Sequence, residues 1–145
     1  MDGLLLTPLK RIPLPAGDVL HGMKKDDPGF AGFGEAYFSI VHQGVVKGWK
    51  RHNRMTLNLI VPQGRVGFTV CDDRGAAPVF RNFSLSPDGA DSYQRLTVPP
   101  GVWMAFRGEG ASTNMLLNLA SIAHQPDEAD NRPLDAFDFT WPEIA

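Results

Sequence analysis

The sequence predicts an all-β fold, a sandwich or barrel of short strands, on three observations. Twelve prolines and fifteen glycines divide 145 residues into short pieces, which is turn chemistry repeated at strand spacing. Between those breaks lie nine segments of alternating or continuous apolar character. Helix is scarce, with room for a turn or two only around Pro126–Asn131. Strands at this spacing pack as two sheets or a closed barrel rather than as a βαβ unit.

Leu4–Ile12 opens the series with a leucine run. Glu35–Val41 follows a glycine-rich stretch, and the Gln43-Gly44 turn joins it to Val45–His52. Thr56–Val61 is strongly apolar, which predicts that the hairpin next to it is central rather than at an edge. Pro62-Gln63-Gly64 leads into Arg65–Cys71, and Asp73-Arg74-Gly75 into Val79–Leu85. Pro99-Pro100-Gly101 separates Tyr93–Val98 from Val102–Arg107, and Asn114–Ala120 closes the set. Lys24–Gly34 reads as a surface loop, with the composition to serve as a lid or a partner-binding arm.

A chain of this length makes one domain, 1–145, with enough residues for a real core. Its 43% hydrophobic and 21% charged residues are ordinary for a globular protein. No apolar run reaches the roughly 20 residues needed to span a bilayer, and Leu4-Leu5-Leu6 is too short for a signal-peptide core. A net charge of −2 gives no global attraction to nucleic acid. The expectation is a cytoplasmic protein with neither a nucleic-acid nor a membrane partner. The single cysteine, Cys71, excludes an internal disulfide; its strand-like surroundings predict a buried structural thiol rather than a nucleophile.

One stretch departs from this plain background. Val46–Arg54 carries four cationic side chains, one imidazole and one indole in nine residues. In a strand, Lys50 and His52 share a face, while Trp49 and Arg51 take the other. Lys47 has the wrong parity to join Lys50 unless Gly48 forms a bulge, a common use of glycine inside a strand. Two readings stand. A solvated outer strand would use Trp49 as its one core anchor. A pocket that grips an anion and moves a proton would bury Lys50, lower its affinity for its proton, and set His52 beside it.

The phrase Pro99-Pro100-Gly101-Val102-Trp103-Met104 resembles the second motif of the cupin barrels, in which a Pro-x-Gly turn precedes a metal-binding histidine. Here Met104 stands in that slot. The first cupin motif, His-x-His, corresponds to Lys50-Arg51-His52. A protonated ammonium cannot bind a divalent ion and a thioether suits only soft metals, so the barrel is expected to hold no metal and no cofactor.

Among metal-free cupins the chain resembles the dTDP-4-dehydrorhamnose 3,5-epimerase family and its sugar-nucleotide relatives over roughly Glu35 to Pro142. The family's Gln-x-Asn-x-Ser strand is similar to Glu35–Ser39, and its Gly-Val-Leu-Arg-Gly-Leu-His strand to Gly44–Lys50. Further similar pieces are Cys71-Asp72-Asp73-Arg74, the segment Pro99–Phe106, His124–Glu128 and Trp141-Pro142. The slot of the family's catalytic His holds Lys50, and that of its Tyr acid holds Asn118. The Asp that orients the family's His lies beyond the Trp-Pro, where this chain stops at Ala145. The related sugar 3,4-ketoisomerases offer a second match, with Tyr37 behind Lys50 and His52.

The resemblance implies a jelly-roll cupin acting on a dTDP-4-keto-6-deoxyhexose in envelope polysaccharide synthesis, by removal of a proton α to the ketone. Lys50 and His52 are the expected catalytic pair, with Lys50 either the neutral base or a charged group that steadies the enolate while His52 takes the proton; Glu35, Tyr37, Lys47, Arg54, Asn118 and His124 are the expected substrate contacts. Lys47 or Arg54 would hold the diphosphate. The alternatives are a 3,4-ketoisomerase, a non-catalytic sugar-nucleotide-binding cupin, or a cupin for some other anion. A homodimer is expected, because cupins of this kind are dimers and an unpaired sheet edge invites pairing.

Overall fold

A computed structural model describes residues 1–89 and 91–144. Two five-stranded antiparallel sheets face each other, as expected of a cupin jelly roll. The first runs in the order β1 (Leu5–Pro8), β9 (Gln94–Val98), β6 (Leu57–Gln63), β11 (Met115–Ala120), β4 (Glu35–Ile40). The second runs β12 (Ala129–Asn131), β5 (Val46–His52), β10 (Trp103–Gly108), β7 (Val66–Asp72), β8 (Val79–Leu85). A short hairpin, β2 (Arg11–Ile12) with β3 (Val19–Leu20), stands apart. From β4 to β11 the chain crosses between sheets at most turns, which is why the core joins strands distant in sequence.

The nine sequence-predicted strands are present with ends moved by at most two residues, except that Leu4–Ile12 is split into β1 and β2. The helical turn expected around Pro126–Asn131 is instead a turn followed by β12. Its residues pair with Lys50–His52, so tertiary pairing overrides a weak local preference. β5 is consequently not fully central. β10 covers one side along its length, whereas β12 reaches only its last three residues.

Apolar residues cluster on two sides of the second sheet. Between the sheets, Leu57, Leu59, Phe68, Val70, Leu96 and Val98 form the main core with Met104 and Leu116. On the outer face, Trp49, Cys71, Trp103 and Ala105 form a second cluster, covered by Phe137, Phe139 and Trp141 of the C-terminal segment. Trp49 packs edge-on against Phe137 with ring centroids 5.1 Å apart, a favoured aromatic geometry. Cys71 is fully buried here; burial, then the nearby Asp73 and Asp72, pushes its thiol up to about 11. It is a structural residue, as expected.

The Lys24–Gly34 segment is no lid over the space between the sheets. Asn58 Nδ2 donates to Gly29 O at 3.0 Å, and the buried Arg95 donates to Pro28 O at 2.9 Å and to Gly22 O at 2.7 Å. Asn58 and Arg95 alternate with the core residues Leu57, Leu59 and Leu96, so they hold this segment to the outer face of the first sheet.

Candidate active site

Between β4 and β11 of the first sheet and β5 of the second lies a cavity of about 290 Å³. Its polar wall comes from β5, with Lys47, Lys50 and His52, and from Asn131 of β12. Tyr37 and Ser39 of β4 and Asn118 of β11 face them. Leu57, Leu59 and Leu116 make an apolar floor, and Met104 and Phe106 belong to the same lining. Met104 thus fills space where a metal ligand would sit in other cupins. Among the described residues no group of three His, Cys, Asp or Glu is placed to hold a metal ion.

Lys47 reaches this wall through a bulge. On β10 the step from Met104 to Phe106 is two residues; on β5 the matching step, Lys50 to Lys47, is three. The extra residue restores the parity that a regular strand denies Lys47. Gly48 allows it: its φ is +151°, and a Cβ at this position would lie 2.4 Å from the Ala105 Cβ. The close approach of β5 to β10 therefore needs glycine.

His52 is held from behind. Its Nδ1 shares a hydrogen bond with Glu128 Oε1, which leaves Nε2 as the nitrogen available to a ligand. Glu128 is buried, and its other oxygen, Oε2, accepts from the backbone N–H groups of Asn53, Arg54 and Met55 at 2.9, 2.7 and 3.1 Å. Burial alone would push its pKa up. The His52 bond and the N–H groups of Arg54 and Met55 outweigh it and hold the carboxyl at about 2. The result is a fixed carboxylate–imidazole pair opening onto the cavity, with a buried anion on its far side.

Lys50 is exposed at the cavity rather than dried inside the barrel. This corrects the expectation of a desolvated Lys50 acting as a neutral base. Among the described residues neither Lys47 nor Lys50 takes part in an ion pair; Lys47 Nζ donates to Ile40 O at 2.7 Å. The cavity wall is therefore cationic and suited to an anionic ligand.

Three expected contacts lie elsewhere. Arg54 Nη2 donates to Gln125 Oε1 at 2.6 Å, and its guanidinium does not line the cavity. Two residues past His52 the strand has ended, and the chain turns to bind Glu128 with its backbone. His124 is exposed and away from the lining, and Glu35, at the far end of β4, does not reach it either. Glu128 was missed as the partner of His52. It belongs to the His124–Glu128 stretch similar to the epimerases, but nothing local marks it as the residue that folds back 76 positions. Ser39 and Asn131 were likewise missed, since both are ordinary surface residue types in a one-dimensional reading.

No family model matches the chain. A solved structure of a dTDP sugar isomerase from Desulfovibrio desulfuricans G20 is 34% identical, with a TM-score of 0.91, covering 99% of this chain and 94% of that one. The chain belongs to the dTDP-sugar isomerase family. QdtA, a sugar 3,4-ketoisomerase from Thermoanaerobacterium thermosaccharolyticum solved in complex with TDP, shares the fold of this dTDP-sugar isomerase family member. Its identity is 20% and its TM-score 0.74, over 93% of this chain and 91% of that one. A probable low-salt glycan biosynthesis epimerase, Agl13 of Haloferax volcanii, is 25% identical over 96 residues. That match spans 66% of this chain and 62% of Agl13, less than two thirds of the relative's length.

Proposed function

We propose that this chain isomerises or epimerises a dTDP-4-keto-6-deoxyhexose by moving a proton at a carbon α to the ketone. The observation that carries the reading is the His52–Glu128 pair opening on a cationic, sugar-sized cavity. His52 Nε2 takes the α-proton, and the resulting enolate carries its charge toward the Lys50 ammonium. Returning the proton to carbon regenerates a ketone. Lys47 takes the diphosphate, where a charge-assisted hydrogen bond gives both affinity and orientation. Family membership, through a relative named as a dTDP sugar isomerase, supports the nucleotide.

The 3,4-ketoisomerase reading is favoured over 3,5-epimerisation by one feature. Asn118 occupies the slot of the epimerases' Tyr acid, and an amide does not titrate in this range. The phenol at the cavity is Tyr37, on the neighbouring strand, and it is bonded to Asn118 at 2.9 Å. A purely binding role fits less well, because a buried carboxylate held at His52 by three backbone N–H groups is costly machinery for a passive site.

Cytoplasmic residence and a part in polysaccharide synthesis belong to this proposal. Among the described residues no helix is long and apolar enough to cross a membrane. A homodimer is proposed to form at β4, whose outer edge pairs with no strand among the described residues and whose Phe38 and Ile40 are exposed. The direct test is incubation with dTDP-4-keto-6-deoxyglucose in deuterated water, read by NMR at C3 and C5. Deuterium entry, or appearance of the 3-keto isomer, is the expected outcome. Neither, at any enzyme concentration, would overturn the proposed activity.

A further inference from the structure

Three buried polar side-chain atoms have no hydrogen-bond partner among the described residues: Arg95 Nε, Arg107 Nε and Asn118 Oδ1. The two arginines satisfy other nitrogens of the same guanidinium and lie outside the cavity. Asn118 is a cavity-lining residue only 1% exposed, and its Oδ1 is closed off from solvent. A buried acceptor left without a donor is rare in native interiors and calls for an explanation.

The neighbouring bond makes the arrangement specific. Asn118 Nδ2 donates to Tyr37 Oη at 2.9 Å. The phenol oxygen is thus already an acceptor, and its own O–H remains free to donate to a ligand. Side by side at the cavity wall stand one unpartnered acceptor, Asn118 Oδ1, and one donor, the Tyr37 hydroxyl. A sugar hydroxyl is the group that answers both, since it donates and accepts at once. A ketone can only accept, and a deoxy carbon can do neither. The adjacent floor of Leu57, Leu59 and Leu116 offers nothing to a second hydroxyl.

We propose that Asn118 and Tyr37 together read a single sugar hydroxyl, so that the site selects substrates bearing a free hydroxyl there over those that are deoxygenated. The inference rests on the dTDP-sugar reading of the same cavity and names a specificity pair within it. Asn118 acts on binding through Oδ1 and orients Tyr37 through Nδ2. The substitution of amide for phenol at position 118 then exchanges a proton donor for a hydroxyl reader.

The test separates binding from turnover by using ligands without a ketone. Dissociation constants for dTDP, dTDP-6-deoxyglucose and its 2-, 3- and 4-deoxygenated analogues are measured by calorimetry on the wild-type protein, Asn118→Leu and Tyr37→Phe. The 2- or the 3-deoxygenated analogue is expected to bind the wild type about 10-fold more weakly than the parent sugar, because removing its hydroxyl leaves the buried acceptor unpaired. That deficit should shrink to within about 2-fold in Asn118→Leu, where no acceptor remains to be stranded. Tyr37→Phe, at a half-exposed position that tolerates the change, should reduce the deficit in part.

If the 2- and 3-deoxygenated analogues both bind the wild type as the parent does, or if the deficit survives undiminished in Asn118→Leu, the hydroxyl-reading pair is wrong while the nucleotide-sugar site stands. If dTDP itself does not bind the wild type, the nucleotide-sugar reading and this inference fall together.

Discussion

The two faces of β5 are built from alternate residues of one seven-residue strand, yet they serve opposite ends. Outward, Trp49 is 2% exposed and closed over by Phe137 and Phe139. Arg51 and Arg132 both lie against Trp103, at 4.7 and 4.4 Å from its ring, while Asp73 accepts from the indole N–H and from Arg132. Inward, Lys47 and Lys50 have no ion-pair partner among the described residues and face open space. The outer face is satisfied by the chain itself. On the inner face Glu128 holds His52 from behind and Lys47 donates to Ile40 O, but neither lysine has a counter-charge, which leaves their charges for something else. A strand can divide stability from function in this way because a two-residue period sends neighbours to opposite sides.

The contrast can be broken most sharply at His52. His52→Asn should lower the turnover of a dTDP-4-keto sugar by about 10²–10⁴-fold, the range lost with a positioned acid–base group. Its melting temperature should move little, as Glu128 keeps its three backbone donors. A variant that retains near wild-type turnover would remove His52 from the chemistry. On the other face, Trp49→Ala should destabilise the fold by about 3–5 kcal/mol, read by chemical denaturation, through the cavity left under Phe137. Its dTDP affinity, measured where the protein remains folded, should be near wild type. A large loss of affinity with unchanged stability would mean that the two faces are not separate.

Glu128, behind His52, gives the smallest and the most pH-dependent effect. Its carboxyl sits at about 2 in the folded chain against an ordinary 4.5. The folded state therefore holds the proton less tightly than the unfolded chain. The stability this contributes is fully present above pH 4.5 and is lost as the pH falls from there toward 2. Glu128→Gln should be less stable than wild type at pH 7, and the gap between their melting temperatures should narrow between pH 5 and 2.5. A constant gap across that range would show that the carboxylate charge is not what the site uses.

Much of the fold was legible because strand signals are local. Val79–Leu85 is placed to the residue by its pattern, and the alternation in Val45–His52 sets Lys50 and His52 on one face by parity alone. The bulge at Gly48 was legible too, since a glycine between two lysines of conflicting parity is a local anomaly. Half of the candidate site was not readable in this way. Arg54 looked like a phosphate ligand because it is close in sequence to Lys47, but the strand ends at His52 and carries it off to Gln125. Ala129–Asn131 has no strong strand signal of its own, and it becomes β12 only by pairing with β5.

The amino-acid order by itself therefore determined the all-β class, the turns and the parity that puts Lys50 and His52 on one face, and it marked Gly48 as a place where a bulge would bring Lys47 to join them. Each of these follows from sterics and hydrophobic period within a few residues. Tertiary structure alone decided that Glu128 stands behind His52, that Lys50 stays wet, that Tyr37 and Asn118 meet across β4 and β11, and that the C-terminal aromatics seal Trp49. Those contacts join positions about 80 residues apart in three of the four cases. Their partners are chosen by how two sheets close on one another, which no local pattern encodes.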